Sequence, residues 1–199
     1  MTELEAMLRG MHRDQPPPDL DLQKAGGLID VAYATLDSPL GTLLLARTPR
    51  GLVRLAYLDA RPAEDLVLEE LAATLSPRVL RAPRRLDAQR RELDEYFSGK
   101  RTAFATPIDW ALTGGFARRV LRATAKIPYG SVSSYGQVAT RAGSPRAHRA
   151  AGTALGRNPM PIVLPCHRVL HAGGGLGGYT GGLERKRYLL DVEREQSHA

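Results

Sequence analysis

The chain has 199 residues, 43% hydrophobic and 25% charged, with 28 Lys and Arg against 21 Asp and Glu and a single cysteine. That composition suits one large domain or two small ones and excludes wholesale disorder and collagen-like repeats. The lone Cys166 excludes an intramolecular disulfide framework and any zinc site built on paired cysteines. No HExxH spacing occurs, no apolar run is long enough to span a bilayer, and the first 25 residues lack the apolar stretch of a signal peptide. A reduced, cytoplasmic setting with no membrane partner is therefore expected.

The net charge of +7 is unevenly placed. Residues 1–110 hold 15 basic and 17 acidic side chains, whereas residues 111–199 hold 13 basic and 4 acidic. Residues 111–183 contain no Asp or Glu and nine Lys or Arg: Arg118, Arg119, Arg122, Lys126, Arg141, Arg146, Arg149, Arg157 and Arg168. A solvated Arg-rich face is one reading. A polyanion partner is the other, because carboxylates near phosphates are repulsive while solubility by itself asks for mixed signs.

Residues 1–26 read as a flexible extension: Leu4, Met7, Leu8 and Met11 allow a turn or two of amphipathic helix before Pro16-Pro17-Pro18 stops it. Short runs at 28–36, 42–47 and 52–58, rich in Val, Leu, Thr and Tyr, are separated by Ser38-Pro39-Leu40-Gly41 and Pro49-Arg50-Gly51. They predict an antiparallel meander. Helices come next over 63–75, with Leu68, Leu71 and Leu75 inward, and over 86–98, with Leu86, Leu93 and Phe97 inward before Gly99. Nothing in this half forms a catalytic constellation.

The character changes near Pro107. Phe116, Val120 and Leu121 mark a helix that ends at Ile127-Pro128-Tyr129-Gly130, and two short helices, 134–141 and 145–156, meet at Gly143-Ser144. That is the spacing of a helix-turn-helix, although a plain helical hairpin fits it too. The second helix carries Arg146, His148 and Arg149 and no acid, which favours a nucleic-acid-facing element. Arg118 or Arg122 is expected to neutralise a phosphate. The expected fold class is α+β: an extension at 1–26, an α/β module with a small antiparallel sheet at 27–106, and a mostly helical module with a helix-turn-helix at 107–199.

Pro159, Pro161 and Pro165 then forbid a helix and stiffen the approach to Cys166. A lone Cys after Ile-Val-Leu reads ordinarily as a small buried hydrophobe. Here His167 is adjacent, arginines are close and no carboxylate is near in sequence, each of which favours thiolate over thiol and a nucleophilic role. Seven glycines in the ten residues 173–182 could be a flexible linker, but the embedded Tyr179-Thr180 suits a loop whose backbone comes close to a flat ligand. No GK[ST] succeeds it and no strand-to-helix setting surrounds it, so it is neither a Walker loop nor a dinucleotide fingerprint. A last helix over 183–195 turns Leu189, Leu190 and Val192 inward and carries Glu193.

The run Ile127-Pro128-Tyr129-Gly130, Ser134-Tyr135, Arg149-Ala150-Ala151-Gly152, Asn158-Pro159, Pro165-Cys166-His167-Arg168-Val169, Gly178-Tyr179 and residues 189–193 resembles the O6-alkylguanine-DNA alkyltransferase family, the methylated-DNA–protein-cysteine methyltransferases. The resemblance covers about residues 28–195 and is strongest after Phe116; before it, only Ser38-Pro39-Leu40-Gly41 and Tyr96-Phe97-Ser98-Gly99 match the pattern. It implies that Cys166 accepts the alkyl group, with His167 linked to it through a water and oriented by Glu193, and with Asn158 bracing the site. It implies further that Arg149 enters the base stack in place of an extruded guanine, that Tyr135 assists extrusion, that Tyr179 and Thr180 shape the pocket around O6, and that Val169 and Lys186 lie among the substrate and DNA contacts. The helix pair would dock in the minor groove.

The resemblance also implies a single-turnover transfer needing no cofactor and no metal, on double-stranded DNA with alkylated bases, by a monomer. Two departures stand out: Thr180 occupies a position where some relatives have Ser or Gly, and the zinc-thiolate sensor domain of bifunctional relatives has no cysteines to build it. The alternatives are a non-catalytic DNA-binding module, either regulator or lesion flag, and a Cys-His hydrolase, for which no oxyanion motif is present.

Overall fold

Turn chemistry sets the first three strands, β1 (Val31–Ser38), β2 (Gly41–Thr48) and β3 (Gly51–Tyr57). The Ser38 hydroxyl donates to the Gly41 carbonyl at 2.7 Å and accepts from the Leu40 amide at 3.1 Å. The second turn hinges on Gly51, whose φ of +143° and whose closeness to Pro107, where a Cβ would stand 2.2 Å from the carbonyl oxygen, admit only glycine. The computed structural model describes residues 29–58 and 64–197, so the expected extension at 1–26 lies outside them.

β1 pairs antiparallel with β2, and β2 with β3. A fourth strand, β4 (Val79–Arg81), joins β1 in parallel and completes the order β3-β2-β1-β4. The antiparallel meander expected from the turns is β1–β2–β3, and the parallel β4, which was not expected, makes the sheet mixed. Three residues carry no readable alternation. Side chains direct this pairing: Ser76 and Arg78 both donate to the Asp30 carboxylate, and the Arg78 carbonyl accepts the Val31 amide at 3.2 Å.

Both sheet faces are buried. Val31, Leu44, Ala46, Val53 and Ala56 pack under α1 (Glu64–Thr74), which turns in Val67 and Leu71, one helical repeat apart, with Leu68 and Leu75 half-buried beside them. Ala32, Ala34, Leu43, Leu45, Leu52 and Leu55 face the main core. A 3-10 turn (Pro83–Leu86) leads into α2 (Asp87–Phe97), which buries Leu93 and Tyr96, while Phe97 packs at the core's edge.

The chain then returns along the sheet: the Leu52 amide donates to the Pro107 carbonyl and the Asp109 amide to the Leu52 carbonyl, both at 2.8 Å. Buried Asp109 accepts from the Thr48 hydroxyl and Arg50 Nε, fixing this crossing. The helical half comprises α3 (Gly115–Thr124), β5 (Ser133–Ser134), α4 (Tyr135–Arg141), α5 (His148–Gly156), β6 (Val169–Leu170) and α6 (Leu183–Ser197). Ser134 and Gln137 form a capping box that starts α4. Val138 and Ala139 on α4 meet Ala151, Ala154 and Leu155 on α5 in the helix-turn-helix the spacing predicted.

Arg146 sits in the turn before α5 rather than on it, because the helix begins at His148. β5 pairs in parallel with β6, so the start of the helix-turn-helix is tied to the strand just after Cys166. The main core holds Leu43 and Leu55 from the sheet together with Val120, Val138 and Leu164 from the helical half, so the two halves share it. No helix among the described residues is long and apolar enough to cross a membrane.

Candidate active site

The stiff approach to Cys166 is built from two consecutive tight turns. Val163 N–H donates to the Pro161 carbonyl at 3.0 Å around Ile162, whose φ is +73°. A β-branched residue is strained there, by about 1–3 kcal/mol, and full burial of its side chain holds it. Cys166 N–H then donates to the Leu164 carbonyl at 2.7 Å around Pro165, whose φ of −78° and ψ of 64° make an inverse γ-turn. The sheet steadies this segment from behind, through the Leu55 amide on the Pro159 carbonyl at 2.8 Å.

Asn158, buried at the end of α5, spans the same segment. Its Nδ2 donates to the Leu164 carbonyl at 2.8 Å and to Cys166 Sγ at 3.1 Å, and its Oδ1 accepts the Met160 amide. Beside it, Glu193 on α6 draws donors from at least four residues. Arg168 meets it with Nε and Nη2, each at 2.8 Å; Tyr96 donates its hydroxyl at 2.7 Å, the Gly130 amide donates at 3.2 Å, and His167 Nε2 lies 2.8 Å from Oε1. Burial would raise the Glu193 carboxyl, but the bonds from His167 and Arg168 outweigh it and hold it down to about 2.

A carboxylate only accepts, so His167 Nε2 carries the proton and Nδ1 the lone pair. Nδ1 is buried and meets no protein hydrogen-bond partner among the described residues. Burial also lowers the His167 pKa against the pull of Glu193, so the ring is neutral at pH 7 and able to take a proton.

The thiol differs from expectation. Burial pushes Cys166 up to about 11, although the Asn158 bond and the Lys186 charge act the other way. The resting group is a thiol, not a thiolate: basic neighbours in sequence do not offset the loss of water, and Arg168 spends its charge on Glu193.

Lys186 also departs from the expected DNA contact. It is fully buried, and its ammonium donates to the carbonyls of Val169, at 2.7 Å, Leu176 and Gly178. It therefore straps the glycine-rich loop to β6. Burial brings its pKa down to about 8. Val169 is likewise buried, with its side chain in the core, so it offers no surface to a ligand.

A cavity of about 440 Å³ opens beside Cys166, lined by Tyr135 and Arg149, Gly152 and Leu155 of α5, His148, His171, and Gly178-Tyr179-Thr180. The structure thus brings together Cys166, Tyr135, Arg149, Tyr179 and Thr180, with Asn158 and the His167–Glu193 pair behind the sulfur. Thr180 donates its hydroxyl to the Gly156 carbonyl at 3.1 Å, joining the loop to the end of α5. Arg149 is exposed in the first turn of α5.

Four partners were not expected from the sequence. Arg168 reads there as free positive charge, and Tyr96 lies on the same helical face as Leu93, a spacing that could have shown it buried. The His171 ring lies tilted against Tyr135, centroids 5.2 Å apart, and Tyr57 hydrogen-bonds Tyr179; neither carries a sequence signal. Arg118, half-buried, donates its guanidinium to the carbonyls of Thr113 and Trp110. Arg122 lies exposed, 5.2 Å over the Trp110 ring. Among the described residues no group of three or more His, Cys, Asp or Glu is placed to hold a metal.

Comparison with known proteins points the same way. Residues 31–110 match the family model for the 6-O-methylguanine DNA methyltransferase ribonuclease-like domain, and residues 115–195 match that family's DNA-binding domain. A methylated-DNA–protein-cysteine methyltransferase of Mycolicibacterium paratuberculosis is 42% identical over 85% of this chain and 96% of its own length. The constitutive one of Bacillus subtilis is 37% identical over 81% and 94%. Among solved structures, a Mycobacterium tuberculosis O6-methylguanine methyltransferase superposes with a TM-score of 0.72 at 38% identity, covering 83% of this chain and 94% of that one. The same organism's protein in complex with DNA gives 0.71 at the same identity and coverage. With both halves matched and the thiol, amide, imidazole and carboxylate assembled at one cavity, the chain belongs to the 6-O-methylguanine-DNA methyltransferase family.

Proposed function

We propose that the chain repairs alkylated DNA by direct reversal, taking an alkyl group from O6 of guanine, and from O4 of thymine, onto its own Cys166, once per molecule. The observation that carries this reading is the placement of Cys166: 5% exposed, yet bordering a base-sized cavity, with an amide on its sulfur and a neutral imidazole next to it in the chain. The Sγ–C bond forms as the C–O6 bond breaks. The thiol gives its proton to His167 Nδ1 through a bridging water, the electron pair left on oxygen spreads into the purine, and the imidazolium then returns the proton by way of water to that purine anion, so that S–H and O6–alkyl become S–alkyl and ring N–H. Because the thiol's pKa is about 11, removal of that proton accompanies attack, and Glu193 stabilises the imidazolium that forms. Atoms and electrons balance with no cofactor.

A purely binding or regulatory module would leave this buried assembly without use. Double-stranded DNA meets α4 and α5, and the acid-free, basic half supplies its electrostatic attraction. The compartment is the cytoplasm, where a free thiol persists. Incubation with excess duplex containing O6-methylguanine, then mass spectrometry, is expected to find one methyl per chain, on the Cys166 peptide. Continued turnover by a single molecule would refute the reading.

Arg149, exposed at the cavity mouth, fills the gap left by the extruded base. Arg149→Ala is expected to lower the transfer rate at saturating duplex, since an unstacking penalty of a few kcal/mol is no longer offset. Its rate with free O6-benzylguanine, which needs no flipping, stays near wild type. Equal losses on both substrates would make Arg149 a pocket residue instead.

A further inference from the structure

We propose that Tyr57, on the sheet, is a positioning residue that sets the width of the alkyl-binding cavity through Tyr179; the inference rests on the alkyl-transfer reading above. Tyr179 belongs to the cavity wall beside Cys166 and stands edge-on to His167, ring centroids 6.5 Å apart. Its hydroxyl lies 2.8 Å from that of Tyr57, and the two rings meet edge to face at 6.3 Å. Tyr57 ends β3, is 3% exposed, and is held in register opposite Leu43 of β2. The far end of the Tyr179 ring is therefore referenced to the sheet and not to the glycine-rich loop that carries it.

Two further contacts make the clamp close-fitting. Gly181 lies so near the Tyr57 ring that a Cβ would stand 2.6 Å from Cε2. Arg185 of α6 covers the ring at 4.6 Å while donating to the carbonyls of Leu40 at 2.8 Å and Gly181 at 2.9 Å. Residues 179–181 are thus gripped between the sheet and α6. A glycine-rich segment has few side chains with which to fix itself: Lys186 at the Gly178 carbonyl and Thr180 at Gly156 hold the backbone on either side, and the bond to Tyr57 is what fixes the hydroxyl end of the Tyr179 ring. Loss of the hydroxyl pair frees the ring to swing outward, which loosens the fit around a methyl group and admits a larger one.

The test compares single-turnover rates of wild type, Tyr57→Phe, Tyr179→Phe and the double variant on saturating duplexes carrying O6-methylguanine or O6-benzylguanine. Tyr57→Phe keeps the ring, its packing on Gly181 and its stack with Arg185, and deletes only the hydroxyl. The ratio of benzyl to methyl rate is expected to rise about fivefold, the size of one neutral hydrogen bond, in each single variant and no further in the double. A general loss of stability would lower both rates together and leave the ratio unchanged. An unchanged or falling ratio in Tyr57→Phe, or a double variant whose change is the product of the two singles, overturns the inference. Failure of wild type to accept a methyl at all would instead sink the alkyl-transfer reading on which it rests.

Discussion

Cys166→Ser folds, binds duplex DNA and transfers nothing. The hydroxyl is close in size to the thiol it replaces, and it still offers Asn158 Nδ2 an acceptor where the sulfur stood at 3.1 Å. Its thermal midpoint should therefore stay near wild type. Chemistry is lost because a serine hydroxyl ionises far less readily than a thiol and no neighbouring base removes its proton well enough to compensate. Labelled methyl groups from O6-methylguanine duplex should remain wholly on the DNA. Any label on the variant protein would place the acceptor elsewhere, since Cys166 is the only cysteine in the chain.

Glu193→Gln is expected to damage both stability and rate, by separable routes. Glu193 is 1% exposed and carries the negative charge that Arg168 meets with two nitrogens. Neutralising it leaves a buried guanidinium without its counter-charge, a loss of about 3–5 kcal/mol. For a chain of this size that lowers the melting midpoint by roughly 10 °C. The same group dictates acid behaviour. Its folded pKa of about 2 lies below its ordinary 4.5, so its stabilisation is complete above pH 4.5 and is lost as pH falls through 2. The shift corresponds to on the order of 3 kcal/mol. In the variant that acid-dependent portion disappears, and the stability curve over this window flattens.

Measured well below its midpoint, the Gln variant should transfer about 10²–10⁴-fold more slowly at neutral pH, because His167 no longer has its tautomer fixed or its positive form stabilised. With the base impaired, direct ionisation of the thiol takes over. Its rate should then climb about tenfold per pH unit while pH stays below the thiol pKa of about 11. A variant with normal rate at all pH values would reduce Glu193 to a packing role on the last helix.

The sequence made the reactive segment visible because prolines, a lone thiol and a glycine run are local signals. The three main strands were readable from their turns, and the helix-turn-helix from its small residues and its spacing. What stayed hidden was non-local. β4 is three residues long and exists because Ser76 and Arg78 reach Asp30. Arg168 and Arg118 look identical as letters, yet one is buried against Glu193 and the other is bound to carbonyls of its own loop. Charge counting treats both as free cations. Cys166 shows the same limit: its neighbours in sequence argue for a thiolate, and only the packed structure shows that burial outweighs them.

The return of the chain along β3 has a consequence for behaviour at high concentration. An open sheet margin is a template on which another molecule's strand can add, and it is the usual starting point of fibril growth. Here the amides of Leu52 and Leu55 are already spent on Pro107 and Pro159, two residues that have no amide proton with which to extend the ladder. The opposite margin, β4, spans three residues and ends in Arg81. Among the described residues neither margin offers a long run of free backbone, which leaves little on which a second strand could add in a protein consumed one molecule for each lesion.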